Sequence, residues 1–257
     1  MVNTTRVDAS KEMIAVSKRV GKAIGDYDMI HDGDRIMVAV SGGKDSLSLF
    51  NVLQYRQSYI PVKVELLAVH IDAGVPGFPT EKLKKYFEDL GVSYHIEKID
   101  FLEGKSFSDI DCFWCSRNRR KALFELAMTK GFNKLAFGHH LDDIVETILL
   151  NLFFRAEIGA MKPKQDLFDG RLTIIRPLAY EREESIRSLA EKEKLLGIDQ
   201  FECPNSDKSK RMMVKRLLQD LEKENQAVKL NIFNSLKNIK NDYLLGSRED
   251  KDLLENF

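Results

Sequence analysis

The chain has 257 residues, and its 40 basic and 40 acidic side chains leave a formal net charge of zero. That balance excludes a protein that coats nucleic acid through bulk positive charge, so any RNA contact must come from local basic clusters. The length is enough to bury a substantial core without disulfide or metal staples, and three cysteines, an odd number, fit a reducing compartment better than a disulfide framework.

Residues Met1 to Lys11 lack a basic start followed by an apolar core, and no run of about 18 apolar residues occurs anywhere. The sequence therefore predicts a soluble, cytoplasmic protein with no membrane partner. Over Ser10–Tyr27, Met13, Ile14, Val16, Val20 and Ile24 recur at helical spacing and predict an amphipathic helix ahead of the main domain. Strand-like runs then follow at Arg35–Val40, Val64–Ile71, Tyr94–Ile99, Lys134–Phe137 and Leu172–Ile175. Helical stretches lie between them at Ser46–Arg56, Thr80–Leu90, Arg117–Lys130 and Asp142–Phe154. This alternation predicts an α/β fold, doubly wound, with a mostly parallel five-stranded sheet covered by helices on both faces. Ala156–Gly170, with Gly159, Pro163 and Gly170, reads as a long loop. Glu183–Lys194 and Lys208–Asn241 read as helix with almost no strand signal. The predicted organisation is an N-terminal helical segment over 1–30, the main α/β domain over 31–200, and a C-terminal helical extension over 201–257.

The strongest chemical signal is the first strand running into Ser41-Gly42-Gly43-Lys44-Asp45-Ser46 and then into a helix. Two glycines let the backbone approach an anion, and the amides and dipole of a helix start favour phosphate oxygens. Ser41, Lys44 and Ser46 add side-chain donors. This is not a Walker A loop, because Val38 stands where that pattern needs its first glycine. The run resembles the Ser-Gly-Gly-x-Asp-Ser signature of the PP-loop ATP pyrophosphatases, which cleave ATP between its α- and β-phosphates. The resemblance implies adenylation, with ATP held by Ser41, Gly42, Gly43, Asp45 and Ser46, and with Asp45 helping to hold Mg2+. It also places the adenosine part near the second strand end, at His70 and Asp72.

After the fourth strand comes Gly138-His139-His140-Leu141-Asp142-Asp143. Ligands of open α/β sheets bind at the carboxyl ends of the strands, where this cluster falls. Aspartates at a helix start also serve as plain caps. The functional reading is that Asp142 organises magnesium or orients the reacting oxygen, with Asp143 beside it, while Gly138 and His139 meet the nucleotide.

Cys112-Phe113-Trp114-Cys115 precedes the basic residues Arg117, Arg119 and Arg120, and Cys203 lies ahead of Lys208, Lys210 and Arg211. Spacing alone leaves a redox pair, a zinc site and an iron–sulfur site open. Three cysteines would leave a fourth coordination position vacant; a structural zinc would look for a fourth ligand in His31, His95 or His139.

Cys112-x-x-Cys115-Ser116-Arg117-x-Arg119-Arg120, Gly138-His139-His140-x-Asp142-Asp143 and Ile175-Arg176-Pro177-Leu178-Ala179-Tyr180 followed by Arg182-Glu183 together resemble the tRNA 2-thiocytidine synthetase family, from about residue 10 to the C-terminus. Members hold a [4Fe–4S] cluster with one open iron on the paired cysteines and a third, which maps here to Cys203. Where members often carry a Cys-x-x-Cys pair, this chain has Gln200 at the earlier place. The resemblance implies that ATP adenylates the C2 oxygen of an anticodon-loop cytidine, position 32 in the family, and that sulfur then replaces it. Asp142, Asp45 and Lys44 would carry the chemistry. The basic residues Arg117, Arg119, Arg120, Lys208, Lys210 and Arg211 would bind tRNA. The sulfur donor would be sulfide or a cysteine desulfurase, and a homodimer is allowed. The same motifs also fit uridine thiolation, an amidating or ligating enzyme of the same ATP class, or an RNA-binding metal sensor without turnover.

Overall fold

In the computed structural model the described residues are 9–74, 78, 80–99, 112–195 and 210–244. Cys203 and Lys208 lie outside them. Among the described residues no helix is long and apolar enough to cross a membrane.

Helix α1 (Lys11–Asp26) begins at Ser10, whose hydroxyl accepts the Met13 amide at 3.1 Å and so satisfies one of the open donors of the first turn. Its buried stripe is Met13, Val16, Val20 and Ala23, whereas Ile14 points outward. Strands β1 (Arg35–Ala39), β2 (Glu65–Asp72), β3 (Tyr94–Lys98) and β4 (Lys134–Ala136) alternate with helices α2 (Lys44–Gln57), α3 (Thr80–Leu90) and α4 (Cys112–Thr129). After α5 (Leu141–Arg155) come β5 (Lys164–Leu167) and β6 (Leu172–Ile175), then helices α6 (Glu183–Lys192), α7 (Lys210–Glu224) and α8 (Val228–Ser235).

The sheet order is β3-β2-β1-β4-β6-β5, with every neighbouring pair parallel except β5 and β6. The five expected strands are present, and the parallel α/β expectation holds. The count was one short. Residues 164–167, expected to lie in a loop, form an antiparallel edge strand that turns back through Phe168, Asp169 and Gly170 at φ 53°, 56° and 83°. Its Lys-Gln-Asp-Leu sequence carries no apolar alternation, because as an edge strand it is held by pairing with β6, and its charges keep other strands away.

In β1, Ile36 and Val38 enter one core while Met37 enters the other, as a pleat of period two requires. The first core joins α1, α2, α3 and α6 to one sheet face, and the second packs α4 against the opposite face. A third cluster ties α5 to α7 and α8 through Ile144, Ile148, Val214, Leu218 and Phe233. α1 therefore shares the main core of the sheet.

Arg19 of α1 donates through Nε and Nη2 to Glu181 at 2.9 and 2.8 Å, and the Glu181 side chain is fully buried. Burial raises the Glu181 carboxyl, against the pull of Arg19. Removing one partner of such a pair strands the other in a low-dielectric site. Arg19→Met is expected to lower stability by about 3–5 kcal/mol in urea unfolding, and Arg19→Met with Glu181→Leu to recover most of it.

Candidate active site

The apolar strand β1 ends at Ala39, and His70 Nδ1 lies 2.8 Å from the Val40 carbonyl, pinning the start of the following loop. His70 is buried and stacked on Phe78 at 4.8 Å. Asp72, at the end of β2, accepts the Gly74 amide at 3.0 Å. Gly42 sits at φ 97°, a conformation that favours glycine, and the loop then enters α2. Gly43 caps α2 and offers no side-chain acceptor, so among the described residues the first amides of the helix have no side-chain partner. The loop is tied internally: Ser46 Oγ accepts the Ser41 amide at 3.1 Å and donates to the Gly43 carbonyl at 2.9 Å. Lys44 Nζ reaches Asp45 at 3.0 Å and Glu183 at 3.3 Å.

Gly138 joins the two halves of the site. A Cβ there would stand 2.9 Å from the Ser46 amide nitrogen and 3.0 Å from the Asp45 carbonyl carbon and oxygen. The backbone after β4 thus lies directly on the backbone that begins α2, at the carboxyl edge of adjacent strands.

His140, buried at 5% exposure, stands among three carboxylates. Its Nε2 is 3.4 Å from Asp143 and 3.9 Å from Asp45, and its Nδ1 is 3.6 Å from Asp142. The adjacent aspartates face different partners. Asp142 is occupied at both oxygens, accepting the Glu183 amide at 2.8 Å and Lys229 Nζ at 2.6 Å. Asp143 accepts the His140 amide at 3.1 Å and Arg211 at 2.9 Å; Arg211 also binds Glu146 at 2.6 Å. Asp45 is the least engaged, with Lys44 as its one hydrogen-bond donor among the described residues. Asp45 and Asp143 are thus brought to one imidazole, Asp143 with a donor on each oxygen and Asp45 beside Lys44, while Asp142 fastens α5 to α6 and α8.

Burial works to raise the Glu183 carboxyl, but Lys215 at 2.7 Å and the charge of Lys44 outweigh it and hold it at about 2. A polar cavity of about 240 Å³ opens beside this chain of charges, lined by Asp142, Glu146, Glu183, Lys215 and Lys229 among others.

His139 is pushed down to about 4 by burial, with Arg176, Arg211 and Arg120 opposing its charge and Asp143 favouring it. Its Nδ1 accepts Arg176 Nε at 3.4 Å, so the neutral ring carries its proton on Nε2. Arg117, Arg119 and Arg120 follow along α4 from the Cys112–Cys115 turn. Cys115 is half-buried, one helical turn after Cys112, which puts both residues on one side of the helix. Among the described residues no group of three or more His, Cys, Asp or Glu side chains is arranged to hold a metal. Lys210 lies over the ring of Phe154, near the C-terminal end of α5, at 4.6 Å. His140, Arg176, Glu183, Lys215 and Lys229 also border the site: the first three stand inside the sequence motifs, and the two lysines carry no local signal in the sequence.

A family model for PP-loop domains matches residues 13–253. A relative from Geobacter sulfurreducens, named tRNA-cytidine(32) 2-sulfurtransferase, is 42% identical over 241 residues, covering 90% of this chain and 91% of its own. This chain belongs to that PP-loop family. A second family member, from Pseudomonas fluorescens and of the same name, is 39% identical, covering 93% of this chain and 88% of its own. Among solved structures, the U34-tRNA thiolase NcsA from Methanococcus maripaludis with its [4Fe–4S] cluster shares the PP-loop fold at a TM-score of 0.74. The two chains are 24% identical, with 88% of this chain and 78% of that one covered.

Proposed function

We propose that this protein is an ATP- and iron–sulfur-dependent tRNA sulfurtransferase that converts an anticodon-loop cytidine, position 32 of tRNA, to 2-thiocytidine. The observation that carries the reading is the seat of Gly138 on the start of α2, which sets His139, His140 and Asp143 against an anion-binding loop. Full-length relatives named for this reaction support the substrate.

The amides of the Gly43–Ser46 turn and Lys44 hold the departing pyrophosphate, with Ser41 and Ser46 fixing the loop. Asp45, with Asp143 nearby, would hold a Mg2+ that offsets phosphate charge, and His70 and Asp72 border the adenosine end. The cytidine O2 attacks the α-phosphorus, the bond to the β-phosphate oxygen breaks, and pyrophosphate leaves. Sulfide, as HS−, then adds at C2 and loses its proton while the C2–O bond breaks with AMP as leaving group; an unactivated amide-like oxygen offers no such leaving group. Asp142 keeps α5, and with it Asp143, in place. Lys44 stabilises negative charge on the phosphates, and the arginines of α4 meet the tRNA backbone.

The donor set fits a cluster: Cys112 and Cys115 share a helix side, and Cys203 is the third thiol. The cluster, when bound, supplies an open iron position for the incoming sulfur. Cys115→Ala is expected to yield a colourless protein that still melts cooperatively and makes no thionucleoside. A brown, active variant would remove Cys115 from the ligand set.

The deciding test is nucleoside mass spectrometry of tRNA incubated without oxygen with the cluster-loaded protein, ATP, Mg2+ and sulfide. The expected product is 2-thiocytidine that requires ATP. A thiouridine would keep the chemistry and change the base. Absence of any thionucleoside from a mixed tRNA pool, with the cluster intact, would overturn the reading.

A further inference from the structure

Arg176 follows β6 and is 5% exposed, yet its hydrogen-bond acceptors are neutral: the Lys162 carbonyl and the His139 ring. Among the described residues no carboxylate pairs with it, nor with Arg119 or Arg120 of α4. Buried cations in folded proteins are paired, because desolvation is otherwise uncompensated. Burial, reinforced by the nearby charge of Arg120, pushes Arg176 down to about 10. Arg176 is thus held desolvated within reach of the charge of Arg120, and a bound anion would relieve both costs.

We propose that Arg176, with Arg120, forms a phosphate-ester site that receives a backbone phosphodiester of the RNA substrate. The assignment rests on the sulfurtransferase reading. Phosphate could also come from ATP, but position favours RNA. The PP-loop follows β1 and the adenosine border follows β2, whereas Arg176 follows β6, on the other side of β1 beyond β4. At about 4.8 Å per strand, that is roughly 10 Å from the end of β1, across from the adenosine side. His139 lies between, its Nε2 proton fixed by Arg176. A phosphodiester gripped by Arg176 would thereby hold the adjoining nucleoside over the loop.

The test is tRNA affinity of Arg176→Gln and Arg120→Gln against salt concentration, alongside affinity for a non-hydrolysable ATP analogue with Mg2+. Arg120 is exposed, so that variant keeps the measurement valid should Arg176→Gln fold poorly. Expected are a loss of tRNA affinity of about tenfold for Arg176→Gln and a few-fold for Arg120→Gln. The salt slope should fall by about one for each, and analogue affinity should stay within about twofold. Weaker analogue binding with unchanged tRNA binding would assign the phosphate to the nucleotide and overturn the RNA assignment. Variants that bind both ligands like the wild type would overturn the site altogether. A wild-type protein that binds no tRNA would overturn the sulfurtransferase reading along with it, so the two failures are told apart.

Discussion

Gly138→Ala is expected to lower ATP- and tRNA-dependent pyrophosphate release by about a hundredfold or more, because a displacement of about 1 Å in a positioned site has that effect. The added methyl would meet the Ser46 nitrogen at 2.9 Å and the Asp45 carbonyl atoms at 3.0 Å, all backbone, so no side chain can swing away. Either the β4 end lifts or α2 shifts, and both carry the phosphate loop away from Asp143 and His140. Overpacking of this kind costs about 1–3 kcal/mol, within reach of a folded variant whose activity can be assayed. Gly25, where a Cβ meets nothing within 4 Å, supplies the control: Gly25→Ala should retain full activity. Wild-type turnover in Gly138→Ala would mean that the two motifs do not act together.

Asp45→Asn is expected to cut adenylation by about 10²–10³-fold, the range of a preorganised electrostatic group in a transition state. Stability should change by no more than about 0.5 kcal/mol, because the side chain is 33% exposed and, among the described residues, hydrogen-bonded only to Lys44. The brown colour of cluster-loaded protein should be unaffected. Pyrophosphate release measured with saturating ATP and raised Mg2+ separates lost ion affinity from lost chemistry. Release equal to wild type at low Mg2+ would take Asp45 out of the ion site.

The phosphate loop was legible because its evidence is local: an apolar strand, two glycines and a helix start occupy adjacent positions. The five parallel strands were legible because each is buried enough to need an apolar run. β5 was not, since Lys164, Gln165 and Asp166 are held by a partner strand and a turn rather than by their own preferences. Asp142 and Asp143 could not be told apart in sequence. Their different partners, Lys229 and the Glu183 amide against Arg211 and the His140 amide, come from segments 41 to 87 residues away or from the local helix cap. Arg176 lay within a motif already singled out, but its burial without a counter-charge exists only once β6, α4 and the segment before β5 are assembled. Ile14 illustrates the opposite error, an apolar residue at helical spacing that stays 52% exposed.

The contact between Lys44 and Glu183 gives an arriving anion a competitor. The lysine is shared between two of the protein's own carboxylates, Asp45 and Glu183 at 3.0 and 3.3 Å, and a phosphate at the loop competes with both for its three donors. Glu183 is not stranded where it yields the lysine, because Lys215 and Arg187 remain at 2.7 and 3.4 Å. A multiply charged phosphate that also reaches the amide donors at the start of α2 competes better than a singly charged anion.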